Sequence, residues 1–138
     1  MSQRIVTVGG VVVWSVVLSA ALVAGGGQAT SRAVAAKMKN PVATSAASIT
    51  AGQQIYQKQC RMCHGAAGAA ETPIAKKMMA SDLTDATWTY GSTDGEIFAA
   101  IQDGIGPDFK MKAFKGKVSD QDTWHLVNYV RSLAAARK

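Results

Sequence analysis

The chain has two cysteines, and they stand three apart directly before a histidine, in the run Cys60-Arg61-Met62-Cys63-His64. This limits how the chain can stabilise a fold. The stretch with folding character runs from Ile49 to Lys138, and a domain of that size buries little surface for its length. Small exported domains commonly make up the deficit with disulfides between distant segments. Two cysteines on one helical turn could close only a tiny ring, so the missing core must come from another body. The same run says which kind. Residues three and four apart share one face of a helix, so Cys60, Cys63 and His64 present two thiols and an imidazole on one side. C-x-x-C-H is the spacing at which two thiols add to the two vinyl groups of a haem and the imidazole stands under the iron as an axial ligand. A covalently bound haem c, large, flat and apolar, would supply the core. Two other uses of such cysteines fit less well. A thioredoxin-like pair needs a βαβ context, absent here. A zinc site wants four ligands, and the chain's other histidine is His125.

The N-terminal part explains where such a domain matures. Arg4 precedes an uncharged, largely apolar run from Ile5 to Ala24, and small residues follow at Gly27-Gln28-Ala29. Residues 1–29 therefore read as a secretory signal peptide, with a cleavage site at those small residues, or as an uncleaved membrane anchor. Either way the remainder leaves the cytoplasm, for the periplasm or the outer face of the membrane. Residues 30–48, rich in Ala, Ser, Thr and Lys, have no apolar period and read as a flexible linker. Residues 49–138 form the folded domain. The net charge is +6, but Arg4, Arg32, Lys37 and Lys39 lie before the domain, leaving it 11 basic residues against 9 acidic ones. No basic run interleaves with aromatics, which argues against nucleic acid.

Within the domain the periodicity is helical. Thr50 with Gln53 reads as a capping box opening a helix that runs into Cys60 and stops near Gly65. Thr72-Pro73 starts a short helix, with proline at its favoured first position, ending near Ala80. Thr93 with Glu96 opens another, with Ile97, Ala100 and Ile101 as its apolar face and Gly104 as its end. Ser119 with Asp122 opens the last, in which Trp124, Val127, Val130 and Ala134 recur at helical spacing and Arg137 and Lys138 suit the C-terminal dipole. The long loop from Asp103 to Val118 reads as ordered by a ligand. Nothing reads as a strand.

A low-spin haem iron takes a sixth ligand, and a methionine thioether is a soft one. The domain offers Met62, Met78, Met79 and Met111. Met62 lies inside the attachment turn and cannot reach the opposite face of the ring.

From Ile49 to Ala134 the domain resembles the bacterial class I c-type cytochromes. The motif Cys60-x-x-Cys63-His64, the pair Gly52 and Tyr56 before it, and Met111-Lys112-Ala113-Phe114 followed by Gly116 and the Trp124 helix carry the likeness. The resemblance implies an all-α fold of three main helices, with short helices and loops wrapped around one haem. It implies Met111 as the distal iron ligand, from a loop of the form Met-Pro-Ala-Phe in which Lys112 replaces the proline. It implies that Gly52 lets the first helix cross closely over the last near Tyr129. It also implies that the Pro73 carbonyl accepts a hydrogen bond from the His64 ring, orienting the ligand. Trp124 and Tyr129 are expected in the core, Trp88 and Tyr90 near the haem or a propionate, and His125 on a solvated helix face.

With His64 and Met111 both on iron, no position is free for a substrate. The expected function is single-electron transfer, in a respiratory or dehydrogenase-linked chain outside the cytoplasm and not as an enzyme. The expected partners are redox proteins, with acidic surfaces docking near Lys110, Lys112, Lys115 and Lys117. Two alternatives remain. A labile Met111 would allow a gas sensor or peroxidase-like enzyme, and the domain could be a fixed subunit of a larger oxidase or dehydrogenase.

Overall fold

The computed structural model describes residues 30–85, 88–106 and 110–135. Six helices follow in order: α1 (Arg32–Ala35), α2 (Ala46–Gln59), α3 (Arg61–His64), α4 (Pro73–Met78), α5 (Asp94–Asp103) and α6 (Asp120–Ala135). No strand occurs among the described residues. Two isolated bridges, Ile105–Met111 and Lys115–Val118, lie in the loop before α6. The expected signal or anchor, residues 1–29, and the basic pair Arg137 and Lys138 fall outside the described residues.

Helices α2 and α6 form the largest interhelical contact, and one residue makes it possible. A Cβ added at Gly52 would stand 2.1 Å from the His125 carbonyl oxygen and 2.8 Å from Tyr129 Cβ. Only glycine permits backbone to meet backbone so closely. The crossing buries Tyr56, Leu126 and Val127 almost completely. Tyr56 and Tyr129 pack with ring centroids 5.1 Å apart, tilted by 56°. Helix α5 closes the core from the other side, with Phe98 stacked on Trp124 at 4.2 Å. Its start is the expected capping box, in which Thr93 accepts from the Glu96 amide and the Glu96 carboxylate accepts from the Thr93 amide. Its end is Gly104, at φ 76°.

Three expectations need correction. Residues 30–48 are not a free linker. Ala35 is 1% exposed, and Met38 and Val42 pack against the core. Asn40 donates to the Asn128 side chain at 2.9 Å and to the Trp124 carbonyl at 3.2 Å. Helix α5 makes room through Gly95, where a Cβ would lie 2.0 Å from the Ala35 carbonyl oxygen. The segment has no helical or strand period because it lies as a strap, each apolar residue meeting the domain at its own site. Helix α2, in turn, begins at Ala46, capped by Ser45, whose Oγ accepts from the Ser48 amide. Thr50 instead turns its hydroxyl back to the Ala46 carbonyl at 2.9 Å, a bond open to a threonine inside a helix. His125, finally, is half-buried, with Nδ1 2.8 Å from Ser48 Oγ. Because α2 crosses there, it is a packing residue and not a solvated one.

Candidate functional site

Tyr56 holds the Cys60–His64 turn at both ends. Its carbonyl accepts from the Cys60 amide at 2.9 Å, and its buried hydroxyl donates to the Gly65 carbonyl at 2.7 Å. Burial, and next the Cys60 thiol, push this phenol well above its ordinary pKa, so it remains a donor. Between these grips the chain makes one tight turn. The Cys63 and His64 amides donate to the Cys60 carbonyl at 3.1 and 3.0 Å. Gly65, at φ 83°, then leaves the helix, and a Cβ there would strike the Glu71 carboxylate. Cys60 and Cys63 are free thiols, each half-buried. Burial, reinforced by Cys63, pushes the Cys60 thiol up to about 12, so it stays protonated at neutral pH.

The His64 ring is fixed by Ser81. Its Nδ1 lies 3.1 Å from the Ser81 carbonyl oxygen. A carbonyl only accepts, so Nδ1 carries the proton and the Nε2 lone pair is left for a metal. Burial lowers the pKa of the ring, against the opposing Ser81 bond, which favours the neutral form a ligand needs. The expected partner was the Pro73 carbonyl, and here the structure differs. Pro73 is exposed at the first position of α4, with Thr72 as the cap accepting from the Ala75 amide. In that place its carbonyl serves the helix's own hydrogen bonding. Fixing the ring falls instead to a backbone carbonyl beyond α4, that of Ser81, and nothing in a single sequence marks a serine for its carbonyl.

Of the four domain methionines, Met111 alone packs against the core; Met62, Met78 and Met79 are 67%, 39% and 72% exposed. Its loop is pinned to the end of α5. The Ile105 amide donates to the Met111 carbonyl at 2.9 Å, and the Phe114 and Lys115 amides donate to the carbonyls of Ile101 and Gln102 at 3.0 Å each. Gly104 allows the approach, since a Cβ there would stand 2.6 Å from the Met111 carbonyl oxygen. Lys112 therefore sits in a segment held on both sides, and the stiffness a proline would lend is supplied by backbone bonds. Lys110, Lys112, Lys115 and Lys117 are all exposed around it.

The donor set fits a c-type haem. Two free thiols share a turn, a neutral imidazole offers Nε2, and a thioether packs on the same core as Cys60. A further sign is Trp88, packed against the core, whose indole Nε1 is buried without a partner. A buried donor left unpaired is costly, and a haem propionate is an acceptor of the kind it lacks. Tyr90, 40% exposed, lies at the surface. Among the described residues no cluster of three or more His, Cys, Asp or Glu exists that could hold a different metal.

The helical fold and this motif define a bacterial class I c-type cytochrome. A family profile, cytochrome c oxidase, cbb3-type, subunit III, matches residues 47–130. The chain belongs to that family. It is 35% identical over 95 residues to the cbb3-type cytochrome c oxidase subunit CcoP of Rhodobacter capsulatus, covering 64% of this chain and 30% of that protein. It is 32% identical over 104 residues to the cbb3-type oxidase subunit FixP of Azorhizobium caulinodans, covering 71% and 33%. The chain thus spans about a third of the length of these relatives. Among solved structures, a chain of the reducing HAO-like protein complex of Kuenenia stuttgartiensis superposes with a TM-score of 0.59 at 25% identity, over 70% of this chain and 49% of that one.

Proposed function

We propose that this domain carries single electrons through one haem c, attached at Cys60 and Cys63, with His64 and Met111 as axial ligands. The observation that carries the reading is the attachment turn itself: two free thiols and a histidine whose Nδ1–H is already given to Ser81. Haem iron supplies the change of one electron; the protein sets its potential, exposure and docking. His64 gives a neutral nitrogen held in one tautomer. Met111 gives a soft sulfur, favouring the reduced state and a relatively positive potential. Tyr56 keeps the turn from opening, and Trp88 would give its indole N–H to a propionate. With His64 and Met111 both holding the iron, electron transfer would need no ligand exchange.

The sensor or peroxidase-like alternative requires Met111 to leave, and the backbone bonds around Lys112 disfavour that. The family relation supports the role of a cytochrome unit within a cbb3-type oxidase assembly, acting outside the cytoplasm, with redox proteins as partners. Among the described residues no helix is long and apolar enough to cross a membrane. The exposed lysines around Met111 suit an acidic partner, steering its approach in a salt-dependent way.

The test is the visible spectrum of the protein matured in a periplasm, oxidised, reduced and then exposed to CO. A low-spin spectrum with the weak far-red sulfur-to-iron band, unchanged by CO, is expected. A high-spin spectrum or a clear CO shift would refute the His64/Met111 assignment.

A further inference from the structure

Two side-chain ion pairs, on different elements, reach the same short loop. Arg131 of α6 holds Asp94 through Nε at 2.8 Å, and Arg32 of the strap holds Glu96 through Nε at 3.2 Å. Each arginine has a second arm. Arg131 Nη2 donates to the Ser92 carbonyl, and Arg32 Nη2 reaches the Thr89 carbonyl at 3.5 Å. Arg131 and Asp94 are each 37% exposed, a setting in which an ion pair by itself adds little stability. What the guanidinium adds is geometry. Its rigid planar fork spans a carboxylate and a carbonyl at once, whereas an ammonium is a single point of charge on a flexible stem.

The gripped loop, residues 88–92, is closed on itself. The Trp88 amide donates to Ser92 Oγ at 2.8 Å, and the Gly91 amide donates to the Trp88 carbonyl at 3.2 Å. The Ser92 amide donates to the Glu96 carboxylate at 3.1 Å. Gly91, at φ 106°, lets the loop lie on that carboxylate, since a Cβ there would fall 2.3 Å from Glu96 Cδ. The loop therefore hangs on Ser92. The Ser92 hydroxyl holds the Trp88 backbone, and the Ser92 backbone is held by Glu96 on one side and Arg131 on the other. What the loop carries inward is the Trp88 indole Nε1, buried without a partner.

We propose that Arg131 is a positioning residue for the haem site: through Ser92 it fixes the Trp88 backbone, so that the indole N–H stays on a haem propionate and the reduction potential is held up. A donor on a propionate offsets negative charge near the iron, and less negative charge there favours the reduced state. Released from Ser92, the loop can swing, the indole withdraws and the potential falls. Arg32 acts in the same sense from the strap, through its longer bond to Thr89. This inference rests on the propionate contact assigned to Trp88 above.

The test is a double-mutant cycle on haem-loaded protein, read as reduction potential at fixed pH and ionic strength. Arg131→Lys keeps the charge beside Asp94 and removes the fork, so lost charge cannot explain a change. Trp88→Phe removes the indole donor. Each single variant should have a lower potential than the wild type, and the double variant should match Trp88→Phe alone. Arg32→Lys, at a side chain 66% exposed, carries the least risk to folding and should shift the potential the same way, by less. A wild-type potential in both lysine variants, or Arg131 and Trp88 shifts that simply add, overturns the positioning role and leaves Trp88 on the propionate. A wild-type potential in Trp88→Phe overturns that contact and this inference with it. The wild-type visible spectrum reads the axial ligands separately, so a high-spin form there refutes His64 and Met111 as the ligand pair without altering what the cycle decides.

Discussion

Gly52→Ala sets two effects of opposite sign against each other. On helix propensity alone, alanine in the interior of α2 should stabilise the protein by about 1 kcal/mol. The crossing with α6 says the reverse. The added Cβ would lie 2.1 Å from the His125 carbonyl oxygen, 2.7 Å from its carbon and 2.8 Å from Tyr129 Cβ. Two of these three atoms are backbone, so no rotamer change relieves them. The helices must part by roughly an ångström to restore ordinary contact distances. Because that gap opens along the largest interhelical contact, around the fully buried Tyr56 and Val127, the loss should reach the upper end of overpacking costs, about 3 kcal/mol. The net of about 2 kcal/mol corresponds to a fall in Tm of roughly 8–16 °C for a domain of this size. The assay is thermal unfolding of the haem-loaded protein, followed by far-ultraviolet circular dichroism and by the haem band. Gly106→Ala is the control, since nothing lies within 4 Å of its added Cβ, and it should shift Tm little. A Gly52→Ala protein as stable as the wild type, or more so, would refute the close crossing.

Further expectations address the site directly. Tyr56→Phe removes the hydroxyl that donates to the buried Gly65 carbonyl and should cost about 1–3 kcal/mol in denaturant unfolding; an unchanged midpoint would mean that the turn is not held there. Met111→Ala should lower the reduction potential and admit CO to the iron, and a variant with wild-type potential and no CO shift would rule Met111 out as ligand. Glu96 carries a pH dependence, because bonds from the Thr93 amide and hydroxyl hold its carboxyl below the usual carboxylate range. A depressed folded-state pKa stabilises the fold above the unfolded value, and that part is lost as pH falls through the folded one. Glu96→Gln should therefore be less stable than the wild type at pH 7, with the two unfolding curves converging in acid; a constant gap from neutral to acid pH would contradict this.

The tight turn from Cys60 to His64 was legible because its geometry is local. Cys60, Cys63 and His64 are joined by covalent spacing, and a helical turn puts them on one face whatever else the chain does. The capping box at Thr93 and Glu96 and the glycine stop at Gly104 were legible for the same reason, since a cap is a contact across three or four residues. Gly52 could be anticipated only through family likeness, as a lone glycine in a helix otherwise reads as a weak point. The partners joined over long separations were not legible. Ser81 orients His64 through its backbone carbonyl, a group every residue has, so no side chain announced it. Tyr56 clamps Gly65 by meeting it in space after α3 has turned the chain back. Residues 30–48 gave no period because a strap contacts the domain one residue at a time, at Ala35, Met38, Asn40 and Val42, and periodicity exists only where a regular element lays one face on a core. Local chemistry marked the candidate turn, and the packing of α2, α5 and α6 chose which distant groups hold it.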